Sequence, residues 1–146
     1  MIATMGNVFY FDWEFDLLYW FQGLHNPVLD KIVVAITSLG NAGIFWILLT
    51  IAMLIFCKDK KVAWTSALAL LFSLLVINVF LKNTVMRARP CWIDDSVTLL
   101  VKNPKDYSFP SGHSSASFAS AVSIVQYARY RKQGIAAVVL AALIAI

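Results

Sequence analysis

The sequence predicts an all-α integral membrane protein, a helical bundle forming one membrane domain over residues 1–146. Three observations carry this. Hydrophobic residues make up 60% of the chain and charged residues 14%, whereas a soluble domain averages about 45–50% apolar and about 25% charged. Mean hydropathy is +0.75, so too little polar surface exists to cover a water-soluble domain of this length. Residues 62–81 carry no charge, a run matching the roughly 20 residues that cross the hydrocarbon of a bilayer.

The elements follow in order. Residues 9–24 are rich in Phe, Tyr and Trp, rings that favour the headgroup level, and predict an interfacial aromatic helix. The alternative is the start of a longer span running to Leu39. Pro27 breaks or opens a helix. From 28 to 57 the chain is apolar apart from Asp30 and Lys31, but Gly40-Asn41-Ala42-Gly43 interrupts it. This turn signal divides the stretch into broken apolar helices at 28–39 and 43–57. Each is short for a span, so the first borrows length from the aromatic segment or sits within the bundle. Lys58-Asp59-Lys60-Lys61 is a tight charged loop. A transmembrane helix at 62–81 follows, then a long polar loop at 82–111. A Ser- and Ala-rich span at 112–130 is closed by Arg129, Arg131 and Lys132. Residues 134–146 start a further span. There is no repeat, low-complexity tract or second domain.

Short loops rich in Lys and Arg stay cytoplasmic. Residues 58–61 and 129–133 both qualify and are two spans apart, so they share a side. Loop 82–111 then lies outside, and the run from 134 heads outward again. The net charge of +4 is dispersed among membrane loops, which argues against nucleic acid. Cys57 and Cys91 fall on opposite faces, so no disulfide is expected, and no CxxC or Cys/His cluster suggests a metal. Met1 to Asp16 lacks the basic start of a cleavable signal.

Two segments of the outer loop carry chemistry. Lys82, Arg87 and Arg89-Pro90 follow the clearest span. Lys82 and Arg89 are seven apart, close to two helical turns, so one helix face could present both to an anion such as phosphate. Basic residues at a helix end also snorkel to headgroups without any such role. The second segment, Phe109-Pro110-Ser111-Gly112-His113, opens a helix. Free N–H groups at a helix start bind anions. Ser111 adds a hydroxyl, Gly112 permits close approach, and His113 can protonate a leaving oxygen. The plain alternative is a Ser N-cap followed by an incidental His. Ser114, Ser115, Ser117, Ser120 and Ser123 are read as small packing residues. His25, beside Asn26-Pro27, is read as interfacial.

Lys82, six residues, then Arg89-Pro90, followed by Pro110-Ser111-Gly112-His113, resembles the first two signatures of the type-2 phosphatidic acid phosphatase superfamily. Ile36-Thr37-Ser38-Leu39-Gly40-Asn41 is similar to its small bacterial members. The resemblance implies a six-helix membrane bundle and a phosphomonoesterase or diphosphatase working without metal or cofactor. Lys82, Arg89, Ser111 and Gly112 would bind phosphate, and His113 would be the catalytic general acid. The substrate partners implied are membrane lipid phosphates: undecaprenyl diphosphate, phosphatidylglycerol phosphate or phosphatidic acid. Small size and an outward site favour the prenyl diphosphate. The family's third signature, Ser-Arg, then a nucleophilic His and an Asp, has no counterpart, since the histidines are His25 and His113 alone. The expectation is a bundle truncated in its fifth helix, with the nucleophile beyond Ile146, in a multi-pass protein of the cell membrane whose site is extracytoplasmic. The alternative is a non-catalytic lipid-phosphate-binding or regulatory membrane protein. A vanadate-dependent haloperoxidase shares the motifs, but the apolar composition argues against it.

Overall fold

Asn26 opens the first strongly apolar helix. Its side-chain oxygen accepts hydrogen bonds from the N–H of Val28 at 3.1 Å and of Leu29 at 2.9 Å, and Pro27 takes the first helical position, where no N–H is needed. In this computed structural model, which describes residues 6–145, that helix is α2, Pro27–Leu39. It is separate from the aromatic α1, Asp12–Gln22. After α2 the chain makes one 3₁₀ turn, Asn41–Gly43. Gly43 has φ +67, a conformation costly for any residue with a Cβ. The turn lets α3, Ile44–Phe56, leave at a bend of 53°.

Asp59 caps the next helix by accepting from Lys61 N–H at 3.0 Å. One continuous rod then runs Lys60–Val85: α4, Lys60–Phe72, a π-helical stretch, Ser73–Leu81, and a last turn, α5, Lys82–Val85. The helix therefore extends beyond 62–81 at both ends and takes Lys82 out of the loop. The wider i→i+5 winding suits functional positions. Side chains add support there: Asn83 donates to Val79 O at 2.7 Å and Thr84 to Phe80 O at 2.8 Å. The loop that follows holds only the short α6, Pro90–Ile93.

The Ser-rich helix α7 spans Gly112–Val125. At about 21 Å it is shorter than the 112–130 span expected. Tyr127 ends it: its N–H turns to Ile124 O at 3.2 Å, and its hydroxyl pairs with Thr65 on α4 at 2.7 Å. A 3₁₀ turn, Ala128–Tyr130, leads into α8, Arg131–Ala145, so Arg131 and Lys132 belong to the helix. Residues 1–5 and Ile146, which close the expected segments at either end, lie outside the described residues. Among those described there is no strand, only a single bridge between Asn7 and Arg87.

The packing centre is α7, which lies against α3, α4 and α8. A column of hydroxyls joins it to its neighbours. Trp46 Nε1 donates to Ser117 at 2.8 Å, Thr50 pairs with Ser66 at 2.8 Å, Ser66 with Ser120 at 2.8 Å, and Ser73 with Ser115 at 2.7 Å. Apolar clusters flank this column: Trp46, Ala121, Ala141 and Ile144 on one side, Met53, Val62, Ala63 and Ile124 on the other. The outer faces are apolar as well, with Leu48, Ile55 and Phe56 on α3 and Trp64, Leu68 and Phe72 on α4 all exposed. Among the described residues one helix, Lys60–Val85, is long and apolar enough to cross a membrane, with mean hydropathy 2.1 and 11% of its most apolar window buried. The bent α2–α3 pair passes the same test together.

Gly134 is where α8 crosses α7. A Cβ there would lie 2.3 Å from Val125 Cα, a backbone contact that cannot give way without shifting a helix. Gly134→Ala should therefore cost about 1–3 kcal/mol. Gly23→Ala, whose nearest neighbour would be at 3.4 Å, should be nearly neutral. Thermal unfolding of both variants in detergent checks this, and equal midpoints would contradict the α7–α8 packing.

Candidate active site

At one end of the bundle three segments meet: the end of the Lys60–Val85 rod, the loop entering α7, and the Gly40–Gly43 turn. They enclose a cleft of about 470 Å³. Asn78, Lys82, Asp106, Gly112 and His113 form its polar part, and Ile47, Leu70, Leu71 and Leu74 its apolar part. The gradient runs along one helix, from Leu70 to Lys82.

Lys82 is buried at 8% exposure, and a buried ammonium needs a partner. Asp106 supplies it, with Lys82 Nζ 2.5 Å from Oδ2. The same residue receives Arg89 twice: NH2 donates to Oδ1 at 2.7 Å and Nε to the backbone carbonyl at 2.7 Å. Lys82 and Arg89 thus converge, but not on one helix face as their spacing suggested. The helix stops at Val85, Met86 turns left-handed at φ 48, and Arg89 lies on extended chain before α6. The shared carboxylate brings them together. Burial pushes the Asp106 carboxyl up, but the hydrogen bonds and charges of Lys82 and Arg89 outweigh it and hold the group below its ordinary value. The sequence motifs gave Asp106 no role. The available signal was electrostatic: two cations at a helix end imply a counter-ion nearby.

Arg87 points elsewhere. Its NH2 meets Glu14 at 2.5 Å, its Nε donates to Phe9 O at 3.0 Å, and its guanidinium lies over the Phe9 ring. It ties the N-terminal segment to the loop. Glu14 in turn accepts from Phe11 N–H at 3.0 Å. This bond first, and Arg87 after it, holds the Glu14 carboxyl below its ordinary value against the effect of burial.

Ser111 is the N-cap of α7. Its Oγ accepts from Ser114 N–H at 3.2 Å and from the Ser114 hydroxyl at 2.9 Å, and it does not line the cleft. Gly112 does line it. A Cβ at Gly112 would meet Asn78 Oδ1 at 2.4 Å, so its smallness admits the Asn78 carboxamide. The N–H groups of Gly112 and His113 begin the helix without intrahelical partners, which suits an anion. His113 enters the cleft with Nε2 3.1 Å from Asn41 Oδ1. His25 is elsewhere, 3.8 Å from Asp30 at the start of α2. No group of three or more His, Cys, Asp or Glu suited to a metal occurs among the described residues.

Residues 62–146 match the PAP2 superfamily. Over 97 residues the chain is 28% identical to an undecaprenyl-diphosphatase of Sulfolobus acidocaldarius, a stretch covering 66% of this chain and 46% of that protein. The chain thus spans about half the length of that curated relative. No solved structure matches. Lys82, Arg89, Asp106, Gly112 and His113 all fall within the matched stretch, and the chain belongs to the PAP2 superfamily.

Proposed function

We propose that this chain forms a multi-pass membrane lipid phosphatase that hydrolyses a phosphate monoester or diphosphate at the extracytoplasmic face without a metal. The observation that carries the reading is the two-part cleft: Lys82 and a histidine at one end, with Arg89 held beside them by Asp106, and leucines and isoleucine at the other. A lipid phosphate has the same two parts. Ile47, Leu71 and Leu74 are also exposed on the outer face, which supports sideways entry of an apolar tail from the bilayer. The exposed apolar faces of α3 and α4 support burial in lipid, since such a surface is costly in water.

In this reading Lys82 and Arg89 bind the phosphate oxygens, the N–H groups of Gly112 and His113 add dipoles at the helix start, and Ser111 shapes that start and offers its hydroxyl proton. Positive charge gathered around phosphorus stabilises the transition state more than the ground state. His113 protonates the leaving oxygen. Neither histidine of this chain is placed to attack: His25 sits with Asp30 on α2, and His113 serves as the acid. The phosphohistidine route therefore needs a histidine from outside these residues. A prenyl diphosphate is the preferred substrate, in keeping with the similarity to an undecaprenyl-diphosphatase. The second reading is a non-catalytic protein that binds lipid phosphate headgroups with the same Lys82 and helix-start groups.

His113→Ala in the protein made from the natural gene should lose about 10²–10⁴-fold in turnover while still binding lipid phosphate. Lys82→Ala and Arg89→Ala should weaken binding itself. Phosphate release from undecaprenyl diphosphate in micelles, with parallel binding assays, separates these effects. Full turnover by His113→Ala would end its role as acid, and saturable binding without release by the wild type would favour the second reading.

The Asp106 ion pairs give a pH dependence with a definite sign. A depressed carboxyl contributes stability above its ordinary value of 3.8, and this is lost as pH falls through the lower folded value. The stability gap between wild type and Asp106→Asn should accordingly be full at pH 6 and close below about pH 4. A gap independent of pH in thermal melts would refute the ion pairing.

A further inference from the structure

The turn between α2 and α3 had no part in the chemistry read from the sequence, yet it is pressed against the imidazole of His113. A Cβ on Gly40 would lie 2.5 Å from His113 Cδ2 and 2.6 Å from Ile144, so only glycine allows the approach. The next residue, Asn41, places Oδ1 3.1 Å from Nε2. Nδ1 has no hydrogen-bond partner among the described residues. Gly43, at φ +67, holds the turn in this shape.

We propose that Asn41 is a positioning residue that fixes the tautomer of His113, its side-chain oxygen holding the proton on Nε2 so that Nδ1 alone exchanges protons with the reacting lipid phosphate. The inference rests on the phosphatase reading for its purpose but not for its geometry. An amide oxygen only accepts, and a neutral imidazole donates from one nitrogen and accepts at the other. Pairing at Nε2 therefore assigns the exchangeable position to Nδ1. In the proton step, protonated His113 gives its Nδ1 proton to the leaving oxygen. That oxygen keeps the electron pair of the breaking P–O bond while the attacking histidine, from outside these residues, forms its N–P bond, and the His113 imidazole is left neutral with Nε2–H on Asn41.

The neutral amide suits this role. A carboxylate at the same position would also fix the tautomer, but would favour the imidazolium and make it a weaker acid. Lys82, Arg89 and Asp106 are the charged groups that act on His113. From the α2–α3 side nothing charged faces it, since residues 32–57 contain no Asp, Glu, Lys or Arg.

In a ¹⁵N-histidine-labelled sample of the protein made from the natural gene, in detergent, the His113 imidazole signals are assigned by their loss in His113→Gln. Long-range ¹⁵N–¹H spectra above the titration range should show His113 as the Nε2–H tautomer in wild type and as a mixture in Asn41→Ala. Asn41→Asp, the same size, should keep Nε2–H and raise the pH at which His113 titrates. In phosphate-release assays Asn41→Ala should lower kcat at least about tenfold, part of what a positioned acid contributes, with KM unchanged. An Nδ1–H tautomer in wild type, meaning that the amide donates, would overturn the inference, as would the same tautomer in Asn41→Ala. If the tautomer follows Asn41 but wild type releases no phosphate from any lipid phosphate, the phosphatase reading falls and the pairing stands.

Discussion

The geometry depends first on the hydroxyl column between α7 and its neighbours. Trp46, Thr50, Ser66 and Ser73 contact Ser115, Ser117 and Ser120 directly or through one another. Small side chains let the helices approach closely, and each hydroxyl finds a partner at that short separation. Interhelical bonds of this kind contribute about 0.6 kcal/mol on average and about 1.7 at most. Their larger effect is on register: a rotation of α7 would leave several buried hydroxyls unpaired, whereas among the described residues no buried side-chain polar atom lacks a partner. Register matters because Gly112 and His113 begin α7, while Asn78 and Lys82 stand near the end of the rod against which it packs.

The second constraint is charge. Lys82 is largely withdrawn from water, and its partner Asp106 also gathers Arg89 from an extended segment. Three side chains thereby leave one net positive charge at the polar end of the cleft. The Asp106 side chain is 56% exposed, so solvent screens these pairs and their contribution to stability is modest. Their contribution to shape is larger, because they hold the loop before α7 against the end of the rod. Arg87 does the same on the other side, binding Glu14 and Phe9 so that the N-terminal segment follows the loop.

Much of the helical layout was legible because it depends on local chemistry. Asn26-Pro27 starts a helix, Gly40 to Gly43 interrupts one, and an unbroken apolar run forms the long rod. Where reading failed, a distant partner had intervened. Tyr127 leaves the helical path as its hydroxyl meets Thr65, 62 positions away, so α7 ends early. Lys82 and Arg89 converge by way of Asp106, 24 and 17 positions off, and not by helical spacing. The Gly40–Asn41 turn read as a break between helices, with nothing local to tell that His113, 72 positions from Asn41, would lie against it.

By itself the sequence determined the all-helical class, the breaks between helices and the two motif segments with Lys82, Arg89 and Ser111 to His113. Those features follow from apolar run length, capping and turn chemistry within a few residues. Tertiary structure alone decided that Asp106 joins the two cations, that Asn41 meets His113, that Arg87 faces away toward Glu14, and that Asn78 fills the space beside Gly112. Each brings a polar group to whatever partner the packed segments place within about 3 Å, and that partner is set by tertiary packing rather than by position along the chain.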